Sequence, residues 1–573
     1  MANNDLVLLD KVLTERQAER AAPLKEDDAF EIFACEQILR GRDLSLDEVE
    51  AGVVAGGNDG AIDGVYVFLG DVLLAEDSEV FDAGFAVNKI TPGTPLSLIL
   101  VQAKRTESFT ETAVDLVANS TSRLLDLSVS EADLRTLYSE ALVDRIGLFR
   151  AALQQAATRH PSISVSFHYV TRGNTANVHP KVVAKAVDLE AQFRRLFHDA
   201  TALVEFVGAA ELWKRVSTVP SYTLELTYRE NATSGSSHVA LVSIRDYLAF
   251  LTDDTGALRR HIFDWNVRDY QGEVEVNREI QSSLANQDSP DFWWLNNGVT
   301  VICSRTSIVG KTYVLDDVQI VNGLQTSYSI FRTLSAESDE HPALENSVLV
   351  RILVTDDPTT RDLVIRATNR QTSVPVASLR ATDEIQRNIE AYFLAHGWFY
   401  DRRKNYYQNI GKSPERIVSI PLLAQATMAM GLSQAHDSRA RPSSLLKKDE
   451  DYGKMFSKQI PLDIYVWLAT AQKEVDAYLI SPSATTSAPE RTNLRFHLSM
   501  LAAARLHGGR VYAPAQLSSL AQNDRKISDA DLPNCLSDLR RWYSDYMAAS
   551  GDSMDKAAKG SEFVDYLLGS AFP

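Results

Sequence analysis

Apolar residues in the first two hundred positions fall into two alternating rhythms. In DDAFEIFACEQILRG (27–41), Phe30, Phe33, Ala34, Ile38 and Leu39 recur at helical spacing and a glycine ends the run, which predicts a helix. GAIDGVYVFLG (60–70) and LSLILVQAK (96–104) are short, rich in β-branched and other apolar residues, and bounded by turn residues, the pattern of buried strands. ETAVDLVANSTSRLLDL (111–127) returns to helical spacing. SISVSFHYVTRGN (162–174) reads as a strand, KVVAKAVDLEAQFRRLFHD (181–199) as a helix, and ALVEFVG followed by AAELWKRV (202–216) as a strand and a helix. Such alternation predicts an α/β layer around a central sheet.

After residue 215 the pattern changes. SYTLELTYRE (221–230) and VALVSIR (239–245) read as strands around the polar turn NATSGSSH. Beyond residue 400 long helical periods dominate, as in DIYVWLATAQKEVDAYLI (463–480) and NLRFHLSMLAAARLHG (493–508), separated by the loop SPSATTSAPERTN (481–493). With 573 residues, about three domains are expected: 1–215, 216–400 and 401–573. There is no internal repeat.

Composition sets few further limits. The chain is 45% hydrophobic and 23% charged, ordinary for a globular protein. Charges interrupt the first twenty residues and no run of about 18 apolar residues occurs, so neither a secretory signal nor a membrane span is expected. The widely spaced Cys35, Cys303 and Cys535 read as reduced thiols of a cytoplasmic protein. A net charge of −18 argues against a general nucleic-acid coat protein, which needs clustered cations. It leaves a nuclease open, because metal sites are themselves acidic.

Chemistry is concentrated at the ends of two strands. Gln102 and Lys104 alternate on one strand and so share a face, and Asp63 opens the neighbouring strand between Gly60 and Gly64. If the strands pair, a carboxylate, an amide oxygen and an ammonium converge. Mg²⁺, or Mn²⁺, takes oxygen ligands, so Asp63 and Gln102 would hold the metal and Lys104 would orient the attacking water. A second acid is sought on the preceding helix: Glu36 first, near the apolar stripe, and Glu31 less favoured.

This constellation resembles the PD-(D/E)XK nuclease superfamily, in the Mrr-like variant that carries glutamine at the second acidic position. The resemblance implies a restriction-endonuclease-like α/β fold and metal-dependent phosphodiester cleavage by Asp63, Gln102 and Lys104 with Glu36 as accessory. The 39-residue step from Asp63 to Gln102 is longer than a tight hairpin and departs from that pattern.

FWWLNNGVTVICSR (292–305) and VLDDVQIVNGLQTSYSIF (314–331), with NVRDYQG, VNREI, ATNRQTSV, LRATDEIQRNIEAYF and FYDRRKNYY in order around them, resemble the AIPR family, named for abortive infection and phage resistance. The resemblance spans about residues 246–410 and implies an AIPR α+β core in an antiphage defence protein. The region is dense in amides and basic groups, and Asn296, Asn297, Asn322, Gln325, Asn369, Arg370, Arg402, Arg403 and Lys404 are candidate nucleic-acid or ligand contacts. A satisfied polar network is the competing reading of the amides. QIVNGLQT reads as a buried strand, a glycine turn and a helix start.

Other classes fail. RTSIVGKT (305–312) lacks the first glycine of a phosphate-binding loop and leads into a strand. There is neither H-E-x-x-H nor zinc spacing, and no G-x-S-x-G elbow. Trp293 and Trp294 are expected to serve core and interface packing rather than a stacking platform.

The expectation is a Mg²⁺-dependent endonuclease acting on nucleic acid in phage defence, DNA being the first choice of substrate and RNA or tRNA the open alternative, with an N-terminal nuclease-like α/β domain, a central AIPR α+β core and a helical C-terminal region. A homodimer and a companion defence protein are expected partners. The alternative is a non-catalytic, nucleotide- or partner-binding scaffold on a degenerate nuclease fold.

Overall fold

The computed structural model describes residues 4–20, 24–42, 44–54, 57–82, 84–217, 221–254, 256–265, 280–284, 290–335, 337–338, 340–369, 380, 383–402, 406–440, 445–446, 448–481 and 483–572. The chain divides into two compact units. One comprises residues 1–218, 387–402 and 412–573; the other comprises 219–386 and 403–411. Most of the first and third sequence segments therefore fold as one body.

In the first unit a five-stranded sheet is built from β1 (Gly64–Leu69), β2 (Val72–Leu73), β3 (Pro95–Lys104), β4 (Ser162–Thr171) and β5 (Thr201–Val207), ordered β2-β1-β3-β4-β5. β1 is antiparallel to β2 and β3, whereas β3, β4 and β5 are parallel. The long β1–β3 excursion passes through β2 and two single-turn helices, 79–81 and 87–89, so the 39 residues are accommodated.

Strand alternation divides the core. Leu96, Leu98 and Leu100 of β3 face a cluster shared with helices α3 (Glu111–Leu124), α4 (Glu140–Ala156) and α5 (Pro180–Leu196). Ile99, Val101 and Ala103 face the opposite cluster, shared with α1 (Asn4–Glu19), α2 (Glu26–Ile38) and α6 (Ala209–Ser217). Both faces are covered, which is why β3 reads as a continuous apolar run.

The C-terminal helices join this body through ion pairs that the sequence does not advertise. Arg439 reaches Glu76 at 3.0 Å and Asp555 at 2.8 Å, and Lys559 reaches Glu76 at 2.9 Å. The expected helices appear as Leu462–Ile480 and Ala488–His507. The second begins inside the expected loop, because Ser487 accepts from the Glu490 amide and Pro489 suits a first turn.

The second unit holds a three-stranded sheet, β10-β11-β6, and a five-stranded sheet, β12-β9-β13-β8-β7. The strands are β6 (Leu224–Thr227), β7 (Glu230–Ser234), β8 (Ser237–Ser243), β9 (Val299–Cys303), β10 (Arg305–Val309), β11 (Thr312–Asp316), β12 (Gln319–Asn322) and β13 (Ser347–Val354). SYTLELTYRE is not one strand. It changes sheets at Tyr228–Arg229, and the expected polar turn supplies β7. RTSIVGKT forms the β10–β11 hairpin, turning at Gly310 with φ +63°. Cys35, Cys303 and Cys535 are buried and free. No helix among the described residues is long and apolar enough to cross a membrane.

Candidate active site at the mouth of β1 and β3

The site begins with a tightly wound loop. Asn58, Gly60 and Ala61 all have left-handed backbone, with φ between +61° and +63°. The Asp59 carboxylate secures the turn by accepting from the Ala61 amide at 2.8 Å. Asp63 is then clamped on three sides. Its N–H donates to the Val101 carbonyl at 2.8 Å, its carbonyl accepts from Val54 N–H at 2.9 Å, and its Oδ2 accepts from Ala103 N–H at 2.7 Å.

The carboxylate thus lies along the end of β3, and Lys104 Nζ stands 3.7 Å from the same Oδ2. Asp63 is only 1% exposed, whereas the Lys104 side chain remains 44% exposed. Gln102, on the Lys104 face by alternation, is buried, and its Oε1 has no hydrogen-bond partner. Buried polar atoms are rarely left so.

Helix α2 carries both candidates for the second acid, Glu31 and Glu36, and they lie in different surroundings. Cys35 Sγ lies 2.6 Å from the point a Cβ on Gly64 would occupy, so the missing side chain lets α2 settle on the start of β1. Glu31 stands one turn before Cys35, on the same face. Its Oε2 is buried without a hydrogen-bond partner. Glu36, the first choice from sequence, is corrected by the helical phase: five residues on, it turns away from Glu31 by about 140°. There its Oε2 meets Arg16 Nη2 at 2.5 Å, while Arg16 and Arg20 also reach Glu415 at 3.5 and 3.3 Å. Glu36 belongs to that inner ion cluster.

The titration behaviour follows this placement. Burial pushes the Glu31 carboxyl up to about 8, and the charges of Asp63 and Asp28 add to the effect while Lys104 opposes it. Burial likewise pushes Asp63 up to about 6 against the pull of Lys104 and the Ala103 amide, with Asp59 adding to the rise. Two carboxyls that resist ionisation beside a cation and an unpartnered amide oxygen fit a hard divalent ion, which would relieve all of these penalties together. Asp63, Gln102 and Glu31 would be its protein ligands. Among the described residues no group of three His, Cys, Asp or Glu side chains is arranged for a metal, so an oxygen set here must include the glutamine.

A sign follows for stability. Both acids have folded values above the ordinary carboxyl range near 4, so the metal-free folded state holds extra protons. Its stability is expected to fall as pH rises from about 4 to about 8. Melting curves in chelator should show that decline. Glu31→Gln should flatten the part between about 6 and 8, and added Mn²⁺ should reverse the trend by favouring the ionised groups.

The amide-rich motifs also come together, in the second unit. Gly323 (φ +96°) precedes the helix Leu324–Leu334, and a methyl there would lie 2.8 Å from Val299 Cγ2 and 3.1 Å from the Gly298 carbonyl. The NNG and VNG turns are therefore in contact, and the strand, glycine turn and helix expected of QIVNGLQT are found. Asn322 Nδ2 donates to Thr368 O at 2.8 Å, drawing in the end of helix Pro358–Asn369. Asn296 Nδ2 donates to Phe292 O at 2.9 Å.

These two carboxamides are thus engaged with backbone carbonyls, as in a structural network. Asn297 is exposed and Gln325 half-buried in the first helical turn. Arg402, a candidate nucleic-acid contact from sequence, is buried: it is 4% exposed and pairs through Nε with Glu390 at 2.9 Å. Arg370, Arg403 and Lys404, and the side chain of Asn369, lie outside the described residues. Trp294 is 68% exposed and so is not part of the core of this unit, because the single turn Phe292–Leu295 buries Phe292.

Neither a curated protein nor a solved structure matches the chain. A protein family does: the one described as AIPR protein matches residues 263–529, a span that excludes Glu31, Asp63, Gln102 and Lys104. Over those residues the chain is similar to AIPR proteins.

Proposed function

We propose that the first unit is a divalent-metal-dependent endonuclease acting on DNA in phage defence, with its site at Asp63, Gln102, Lys104 and Glu31. The observation that carries this reading is the buried Gln102 Oε1 with no hydrogen-bond partner, beside an Asp63 carboxylate held 3.7 Å from Lys104. Gln37 Oε1 and Gln472 Oε1 are also buried without a hydrogen-bond partner, and what singles out Gln102 is its place on the Lys104 face of β3, at the strand end where Asp63 is held.

Asp63, Gln102 and Glu31 would hold Mg²⁺ or Mn²⁺, which supplies Lewis-acid polarisation of a phosphate oxygen and a lowered water pKa. The rest falls to the chain. The Asp63 backbone bonds and the Ala103 amide fix the carboxylate before any ligand arrives, so little reorganisation is needed. Lys104, anchored at one end of the carboxylate and still open to solvent, orients the attacking water and offsets charge gathering on the scissile phosphate. Cutting both strands with one site per chain favours a homodimer. A companion defence protein remains part of this reading.

The test is plasmid nicking with Mg²⁺ or Mn²⁺ by the wild type, Asp63→Ala and Lys104→Ala. Nicking by the wild type alone is expected. Equal nicking by all three would reject the site, and binding without nicking by any would favour the non-catalytic scaffold.

A further inference from the structure

Two arginines stand beside the candidate site, and each is occupied by a carboxylate from the helices that precede the sheet. Arg105 follows Lys104 directly and pairs with Glu26, at the start of α2. Arg172 follows β4, where the register sets Thr171 beside Lys104. Its N–H donates to Thr106 O at 3.0 Å and its Nη1 to Arg105 O at 3.5 Å, so the two arginines occupy adjacent positions just beyond the C-terminal ends of β3 and β4. Arg172 Nη2 meets Asp10 of α1 at 2.5 Å, while its Nε is buried with no hydrogen-bond partner.

Neither carboxylate partner is locked away. The Glu26 side chain is 69% exposed and that of Asp10 42%. In the Arg105–Glu26 pair both side chains are open to water, at 36% and 69%, so another anion can replace Glu26 at little cost; in the second pair Arg172 is 15% exposed and Asp10 is the partner open to exchange. A guanidinium fork that accepts a carboxylate also accepts a phosphate in the same geometry.

We propose that Arg105 and Arg172, in line with Lys104, form a track for the phosphate backbone of duplex DNA, and that Glu26 and Asp10 occupy it as phosphate mimics until DNA displaces them. The proposal rests on the nuclease reading of the neighbouring site and adds the residues that position its substrate. It also reconciles the acidic whole with a polyanionic substrate: the cations are local, and acids of the same chain hold them in place. Exchange of one anion for another leaves the pairing intact and releases the condensed counterions of the DNA.

The test is equilibrium binding of a short fluorescein-labelled DNA duplex to the full chain in chelator, across about 50 to 200 mM salt. Arg105→Ala and Arg172→Ala are each expected to weaken binding about three- to tenfold at the lowest salt and to lower the slope of log affinity against log salt by about 0.9. Glu26→Gln, which alters only an exposed side chain, should tighten binding about two- to fivefold by removing the competitor.

Slopes unchanged in Arg105→Ala together with unchanged affinity in Glu26→Gln would overturn the proposal, as would a wild type that binds no duplex. If Arg172→Ala loosens α1, the Arg105 and Glu26 variants still decide. Because binding is read without metal and nicking with it, loss of the track and loss of the nuclease reading are separable. Wild-type nicking with unaltered arginine variants rejects only the track, whereas altered slopes without any nicking reject only the catalyst.

Discussion

Asparagine at position 63 is expected to abolish metal-dependent cleavage while the melting temperature stays level or rises. The two halves of this expectation come from the same geometry. A carboxylate held 1% exposed and pushed up to about 6 by burial destabilises the folded protein at neutral pH, and the amide removes that penalty while still accepting from Ala103 N–H. The amide cannot supply the anionic oxygen that a divalent ion requires. Since Lewis-acid assistance is worth several kcal/mol and each 1.4 kcal/mol is tenfold in rate, the loss should reach about a thousandfold or more. Nicking assays and melting curves on the same preparations check both halves. If Asp63 served only to secure the β1–β3 edge, stability would fall and any cleavage would survive. Lys104→Met should lose about a hundredfold to ten-thousandfold with little change in melting, because its side chain is 44% exposed.

The second large effect is structural. Arg402→Met is expected to destabilise the first unit by about 3–5 kcal/mol, the usual result of leaving a buried partner charge uncompensated. Arg402 and Glu390 are both within that unit, and their side chains are 2% and 12% exposed. Chemical denaturation should show the loss. The double variant Arg402→Met/Glu390→Leu should recover most of it, since replacing both charges by packed apolar groups is often neutral. Duplex affinity of the folded fraction should be unaltered, which separates Arg402 from the phosphate contacts assigned to Arg105 and Arg172.

The strand-end chemistry was legible because alternation is local: Gln102 and Lys104 share a face of any strand that contains both. The partner acid was not, because choosing between Glu31 and Glu36 depends on the rotational phase of α2. That phase is fixed by Cys35 packing on the bare Cα of Gly64, a contact nearly thirty residues away in sequence. Arg402 read as a nucleic-acid contact because sequence shows charge and not burial, and Glu390 lies on a separate helix. The grouping of residues 1–218 with 412–573 was equally invisible. It is secured by pairs such as Arg439–Glu76 and Ser419–Asp47, more than 360 residues apart, and no local rhythm records them. The elements of the amide region were readable from QIVNGLQT, whereas the contact between its glycine and Gly298 required the sheet.

The most direct measurement is anomalous diffraction from crystals of the full chain grown with Mn²⁺. The account predicts a manganese peak in contact with the Asp63 carboxylate and Gln102 Oε1, with Glu31 turned toward it, and no such peak in Asp63→Asn crystals. A Gln102 carbonyl satisfied by a protein donor, with manganese absent from that edge of the sheet, would contradict it.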